Sequence, residues 1–206
     1  MKGLFITFEG PDGSGKTTQM ELLKQHLAVM GYQAVLTREP GGTVIGEKIR
    51  SIILDRAHSE MDPMTEALLY AAARAQHVAQ VIIPHLERGD TVICDRFVDS
   101  SIVYQGWGRK LGEPVRIIND FAIRGCMPDA TFLMKVDPGV LLSRRNEEEL
   151  DRLEMEKQEY HQAVYEGYIM LEKQNPDRII GIDASRGIDE ISRDICSRID
   201  KLIENK

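Results

Sequence analysis

The sequence predicts an α/β protein: one parallel β-sheet of about five strands, layered between helices on both faces. Short β-rich apolar runs alternate with segments whose apolar residues recur at helical spacing. A glycine-rich break separates the first such run from the first helical segment. No repeat, low-complexity tract or Pro/Ser-rich linker divides the 206 residues. A composition of 42% hydrophobic and 29% charged residues suits one domain, residues 1–206, with a core of its own.

The elements follow in order. Leu4-Phe5-Ile6-Thr7-Phe8 reads as the first strand. From Lys16 to about Met30, Met20, Leu22, Leu23, Leu27 and Met30 keep helical spacing, and Gly31 suits the end of that helix. Residues 33–37 read as a second strand and 43–54 as a helix. Asp62-Pro63 combines an N-cap with a first-turn proline, so a long helix is expected from there toward Arg88, kinked at Pro84. Residues 91–94 form a short buried strand after the Gly89-Asp90 turn. Helical segments follow near 98–106 and over 114–124, then a strand over 130–136. Two helices near 139–150 and 154–174, a last strand over 178–182 and a helix over 188–203 complete the chain. The region about 139–154 is expected to form a helical lid.

Charge and cysteine content narrow the function classes. The formal net charge is −7, whereas a general binder of nucleic-acid polymers is more often basic. A small anionic substrate held by a local cationic pocket remains compatible with that balance. Cys94, Cys126 and Cys196 are far apart, form no Cys-x-x-Cys and are read as reduced thiols of a cytoplasmic protein. The longest apolar stretch, Ala67 to Ala73, falls far short of a membrane span, and the N-terminus shows no secretion signal.

Gly10-Pro11-Asp12-Gly13-Ser14-Gly15-Lys16-Thr17, followed by Thr18, matches G-x-x-x-x-G-K-S/T between a predicted strand and a predicted helix. Glycines let backbone N–H groups converge on one point, and the helix that follows adds its positive N-terminal end. Lys16 is placed to reach β- and γ-phosphates and Thr17 to offer its hydroxyl to Mg²⁺. The motif therefore indicates a three-layer P-loop NTPase fold and binding of a purine nucleoside triphosphate. A guanine-specific switch lacks its Asn-Lys-x-Asp reader here, and a transporter ATPase its Leu-Ser-Gly-Gly run. A small P-loop protein rich in arginine points instead to a kinase of small molecules.

Four further segments place polar groups where a second anion could sit. Arg38 and Glu39 follow the second strand, where ligands of open parallel sheets bind, although Glu39 also reads as half of a surface ion pair. Asp95 closes a buried strand in the manner of a Walker B aspartate able to hold Mg²⁺, with Arg96 beside it to reach a phosphate. Tyr70 and Arg74 share one helix face and suit base stacking and recognition of a carbonyl, although taken alone they read better as a core tyrosine and a surface arginine. Ser101 and Gln105 are again four apart, with Tyr104 flanking them. The Gln105 amide, which both donates and accepts, suits an imide edge such as that of thymine.

Taken together these segments resemble the thymidylate kinase family. The resemblance runs through Phe8-Glu9-Gly10 to Thr18-Gln19, Thr37-Arg38-Glu39-Pro40-Gly41-Gly42, Thr65 to Arg74, Asp95-Arg96-Phe97-Val98-Asp99-Ser100-Ser101 to Tyr104-Gln105, and Leu150-Asp151-Arg152-Leu153-Glu154. It covers essentially the whole chain in order. It implies transfer from ATP to dTMP, giving ADP and dTDP for dTTP synthesis, with Mg²⁺, in a cytoplasmic homodimer. The same-class alternative is another small P-loop kinase, of a deoxynucleoside or a different nucleoside monophosphate. The different-class alternative is a nucleotide-dependent switch with no transfer chemistry.

By that resemblance Glu9, Arg38, Arg50 and Arg96 lie near the acceptor sugar and phosphate, and Tyr70 stacks on thymine. Arg74, Ser101 and Gln105 read the base edge, and Tyr104 lies near the sugar and disfavours a 2′-hydroxyl. The phosphate loop carries no arginine, so the resemblance implies that the lid supplies the catalytic one. Arg144, Arg145 and Arg152 are the candidates, with Arg145 taken as the catalytic group. Each of the three also reads as a helix-surface residue paired with neighbouring glutamates.

Overall fold

The computed structural model describes residues 2–136 and 151–204. Its strands are β1 (Phe5–Glu9), β2 (Ala34–Arg38), β3 (Thr91–Asp95), β4 (Ala130–Lys135) and β5 (Ile179–Asp183). They form one parallel sheet in the order β2-β3-β1-β4-β5. The five-strand α/β architecture expected from the alternation is thus present. With β1 in the centre and the chain leaving it toward both edges, the crevice beyond its C-terminal end is where open parallel sheets bind ligands.

Alternation along β1 decides what each side chain meets. Ile6 and Phe8 point to one layer, where Met20, Leu23 and Leu27 of α1 (Lys16–Val29) and Ile191, Ile195 and Ile199 of the last helix enclose them. Phe5, Thr7 and Glu9 point to the other layer. There Phe5 packs with Val92, Cys94, Val78, Ile82, Leu86 and Phe97, and Thr7 meets Thr131 hydroxyl to hydroxyl at 2.7 Å. Glu9, at the strand end, is therefore carried to the same side as the helices of that layer.

Those helices are α2 (Val44–Leu54), α3 (Pro63–His77), α4 (Ile83–Glu87), α5 (Val98–Ser101), α6 (Glu113–Ile123) and α7 (Gln158–Gln174); α8 (Ile188–Glu204) closes the opposite layer. Thr43 caps α2 by accepting from the Gly46 N–H, and Asp62 caps α3 by accepting from Met64 and Thr65. Two stretches are wider than expected. The predicted kink at Pro84 is a π-helical segment, Val78–Ile82, that precedes it. Pro84 has no N–H to give, and its ring would crowd the carbonyl four residues back, so the turn before it opens. The helical segment expected near 98–106 is a short α-helix, α5, followed by a second π segment, Ile102–Gly108, which carries Tyr104 and Gln105.

The helix expected from residue 154 begins at Gln158, after a turn over 152–155. Asp151 holds that turn, its Oδ1 accepting from the Leu153 and Glu154 N–H groups at 2.9 Å each. Such a local carboxylate satisfies the backbone without a helix. The expected helix near 139–150 lies outside the described residues.

Phe132 is wholly buried at the centre of β4 against Phe8, ring centroids 5.3 Å apart. Phe132→Ala should lower the unfolding free energy by about 3–5 kcal/mol. Urea titration should show this as a fall in midpoint at unchanged slope.

Candidate functional site

Between β1 and α1 the phosphate loop turns through left-handed glycines, Gly10 at φ 125°, Gly13 at 78° and Gly15 at 88°. A side chain at Gly10 would stand 2.5 Å from the Met134 carbonyl, so the loop's approach to β4 demands glycine there. Lys16 is almost completely buried. Its Nζ donates to the carbonyls of Gly10 (3.2 Å) and Pro11 (3.1 Å) and to Asp12 Oδ1 (3.3 Å). Burial pulls its pKa down, with Arg96 adding to that and Asp12 and Asp95 opposing it. Thr17 and Thr18 are exposed on the first turn of α1. Ser14 Oγ is buried and, among the described residues, accepts no hydrogen bond.

The ends of β2 and β3 bring up the second charged group. Asp95 lies beside the loop with Oδ1 3.7 Å from Lys16 Nζ, buried and without a hydrogen-bond partner among the described residues. Arg96 follows at φ 63°, a left-handed backbone that costs a non-glycine residue about 1–3 kcal/mol. That turn points its guanidinium back across the strand ends to Asp12 at 3.1 Å and over the Tyr104 ring at 5.1 Å. Arg96, the largest influence on Asp12, holds that carboxyl far below the usual range. Arg38, half-exposed, grips Glu47 in two-pronged fashion at 3.0 and 2.9 Å, and Arg50 donates to the Pro40 carbonyl at 3.0 Å.

Arg74 is 1% exposed. It donates to Glu39 Oε2 (2.7 Å), Ser101 Oγ (2.9 Å), the Phe97 carbonyl (3.0 Å) and Asn119 Oδ1. Of a guanidinium's five N–H groups, one is left for a ligand. Glu39 is fully employed as well, because its other oxygen accepts from His77 Nδ1 at 2.9 Å. It thus belongs to the support of Arg74 rather than to a surface ion pair.

Glu9 is completely buried. Its carboxylate accepts from the N–H groups of Phe97 (2.7 Å) and Ser100 (3.3 Å), from Ser100 Oγ (2.6 Å) and from the Tyr168 hydroxyl (2.8 Å). Burial pushes its pKa up to about 7, with nearby Asp99 adding to the rise and the donors resisting it.

One cavity joins most of these groups. Its wall contains Pro11, Asp12, Arg38, Glu39, Arg50, Tyr70, Arg74, Asp95, Arg96, Ser101, Tyr104 and Gln105, all singled out in the sequence. Glu9 does not line it; it reaches the cavity through Ser100 and Tyr168, which do. Arg144 and Arg145 lie outside the described residues. Arg152 is buried in the turn that precedes α7, donating from Nε to the Ile53 carbonyl at 2.8 Å and from Nη2 to Glu66 at 2.6 Å.

Sequence reasoning missed an entire wall. Gln158, His161, Gln162, Tyr165 and Tyr168 of α7 all line the cavity. Their spacing of three and four residues was a readable signal of one polar helix face. Glu66, buried and bonded to Gln105, Arg109 and Arg152, gave no such signal.

Residues 8–195 match the family model for thymidylate kinase. A thymidylate kinase of Geobacillus sp. (strain WCH70) is 51% identical over 195 residues, covering 93% of each chain. One from Exiguobacterium sp. (strain ATCC BAA-1283 / AT1b) is 49% identical over 197 residues, 95% of this chain and 93% of that one. The crystal structure of thymidylate kinase from Ehrlichia chaffeensis superposes with a TM-score of 0.79 at 34% identity, covering 97% of this chain and 99% of that chain.

Glu9 binds its proton more tightly in the folded protein than the ordinary carboxyl value of 4.5 allows. Its contribution to stability is therefore complete below that value and is lost as pH rises through about 7. Across that interval the wild type should lose up to about 3 kcal/mol relative to Glu9→Gln. Urea unfolding of the two proteins at a series of pH values checks this; parallel curves would assign Glu9 an ordinary pKa.

Proposed function

The chain belongs to the thymidylate kinase family and transfers a phosphoryl group from ATP to dTMP, giving ADP and dTDP; we propose that this transfer takes place at the rim of the sheet between the phosphate loop and the arginine-lined cavity. One observation carries the residue assignment. A single cavity holds the edge of the phosphate loop, three arginines and the Tyr70–Arg74–Ser101–Gln105 group.

In this reading Gly10 to Thr18 cradle the ATP phosphates, and Lys16 leaves its own loop carbonyls for the transferring phosphate. The acceptor oxygen is already ionised near neutral pH, since the second pKa of a phosphate monoester is about 6. No strong general base is needed, and the rate comes from positioning and charge neutralisation. Arg38 and Arg96 exchange Glu47 and Asp12 for the acceptor phosphate, with Arg50 alongside. Tyr70 stacks on thymine, and Arg74 directs its remaining N–H to a base carbonyl. Tyr104, fixed under Arg96, stands at the sugar, and Glu9 orients Ser100 and Tyr168 toward it. Arg145 is assigned the transferring phosphoryl group.

The residues present fit Mg²⁺. Asp95 offers a buried oxygen without a hydrogen-bond partner and Thr17 an exposed hydroxyl, both hard donors. Mg²⁺ ordinarily takes only one or two protein carboxylates and completes its shell with phosphate oxygens and water. Held there, it would supply charge neutralisation to the phosphates. A homodimer in the cytoplasm completes the reading. No helix among the described residues is long and apolar enough to cross a membrane.

Arg96→Ala should lower dTMP turnover by about a thousandfold or more while ATP affinity changes little. ADP release and nucleotide binding measured on the same sample test it. Lost ATP binding with intact dTMP affinity would put Arg96 on the donor side. A screen of dTMP, dUMP, dCMP and AMP as acceptors tests the base assignment, and indifference among them would reject it.

A further inference from the structure

Glu66 is completely buried, and its two oxygens carry four hydrogen bonds. Oε1 accepts from Gln105 Nε2 at 2.9 Å and Arg109 Nε at 3.3 Å; Oε2 accepts from Arg109 Nη2 at 3.0 Å and Arg152 Nη2 at 2.6 Å. Two guanidinium groups on one carboxylate keep it an acceptor only. An acceptor can face only the nitrogen end of a glutamine amide. Gln105, itself 1% exposed, therefore has its Nε2 committed and keeps Oε1 as its acceptor for a ligand in the cavity it lines.

We propose that Glu66 is a positioning residue for base specificity: by holding the nitrogen of the Gln105 amide it makes Gln105 present its oxygen, which selects a base with an N3–H over one with a bare N3. Thymine and uracil carry that imide proton; cytosine has a lone pair at N3. A freely rotating amide would turn its NH₂ to cytosine at little cost, whereas an amide pinned by a buried carboxylate sets oxygen against lone pair. The proposal rests on Gln105 reading the base.

Glu66→Gln reverses the constraint. A glutamine there keeps its oxygen where the Arg109 and Arg152 nitrogens meet, and so turns its own NH₂ onto Gln105. Gln105 must then flip. Dissociation constants for dTMP, dUMP and dCMP, measured by calorimetry, should show the dTMP preference over dCMP falling tenfold or more, about the worth of one hydrogen bond. The preference over dUMP should stay within twofold, because uracil has the same edge. A change that merely loosened the pocket would not separate the two ratios.

Should Glu66→Gln unfold because two buried guanidinium charges lose their counter-charge, E66Q/R152M removes one of them and carries the same measurement. In the unaltered protein, isotope-labelled, the Gln105 side-chain N–H pair should exchange slowly with solvent before and after dTMP binds. Fast exchange in the free protein, or an unchanged dCMP ratio in the variant, overturns the role of Glu66. If Gln105→Ala also leaves that ratio as in the wild type, the base reading itself fails and takes the proposal with it. A collapsed ratio in Gln105→Ala beside an unchanged one in Glu66→Gln places the fault with Glu66 alone.

Discussion

A full positive charge with 1% exposure cannot stand in a protein interior without partners, and Arg74 is such a charge. Its guanidinium ties the turn after β2 through Glu39, both ends of α5 through Phe97 and Ser101, and α6 through Asn119. Four segments distant in sequence are thereby held at one end of the sheet. His77 completes the knot by spanning Glu39 and Thr37. A donor whose direction is fixed by four other bonds loses little freedom on meeting a ligand, which suits the base-reading role proposed for Arg74.

The two arginines proposed to meet phosphate are held in a different way. Arg38 and Arg96 lean on Glu47 and Asp12, carboxylates that are themselves accessible. The Arg38–Glu47 pair, exposed on both sides, is of the weak surface kind, whereas Arg96 is mostly buried and holds the Asp12 carboxyl far below its usual range. The buried pairs fix geometry, while in the proposed reading the carboxylates at the rim hold Arg38 and Arg96 in place until a substrate phosphate replaces them. Arg96 also holds a left-handed backbone at φ 63°, local strain that turns its side chain toward the loop.

Much of this was legible in the sequence because local signals carry it. Apolar periodicity marks strands and helices, a glycine pattern marks a phosphate cradle, and i, i+4 pairs such as Tyr70–Arg74 mark one helix face. The motifs also gathered Arg38, Arg74, Arg96 and Gln105 into one group, and the fold brings them to one cavity. The π segments were not legible, since a widened turn answers to packing and to Pro84 rather than to propensity. The wall formed by α7 went unread because its polar stripe looks like any solvated face until the sheet order places it over the cavity.

The sequence alone therefore carried the order of the described strands, the glycine-rich loop after the first of them and the residue types that the cavity gathers, because periodicity and tight turns act over a few neighbouring residues. Only the tertiary structure decided which charges are working contacts and which are supports. Glu39, read equally as half of a surface pair, is a buried strut; Arg152 is anchored to Glu66; and Glu9 answers to Tyr168, 159 positions away. The physical reason is that the energy of a charge depends on its burial and on the partners it meets across the sheet, and neither quantity is a property of neighbouring residues along the chain.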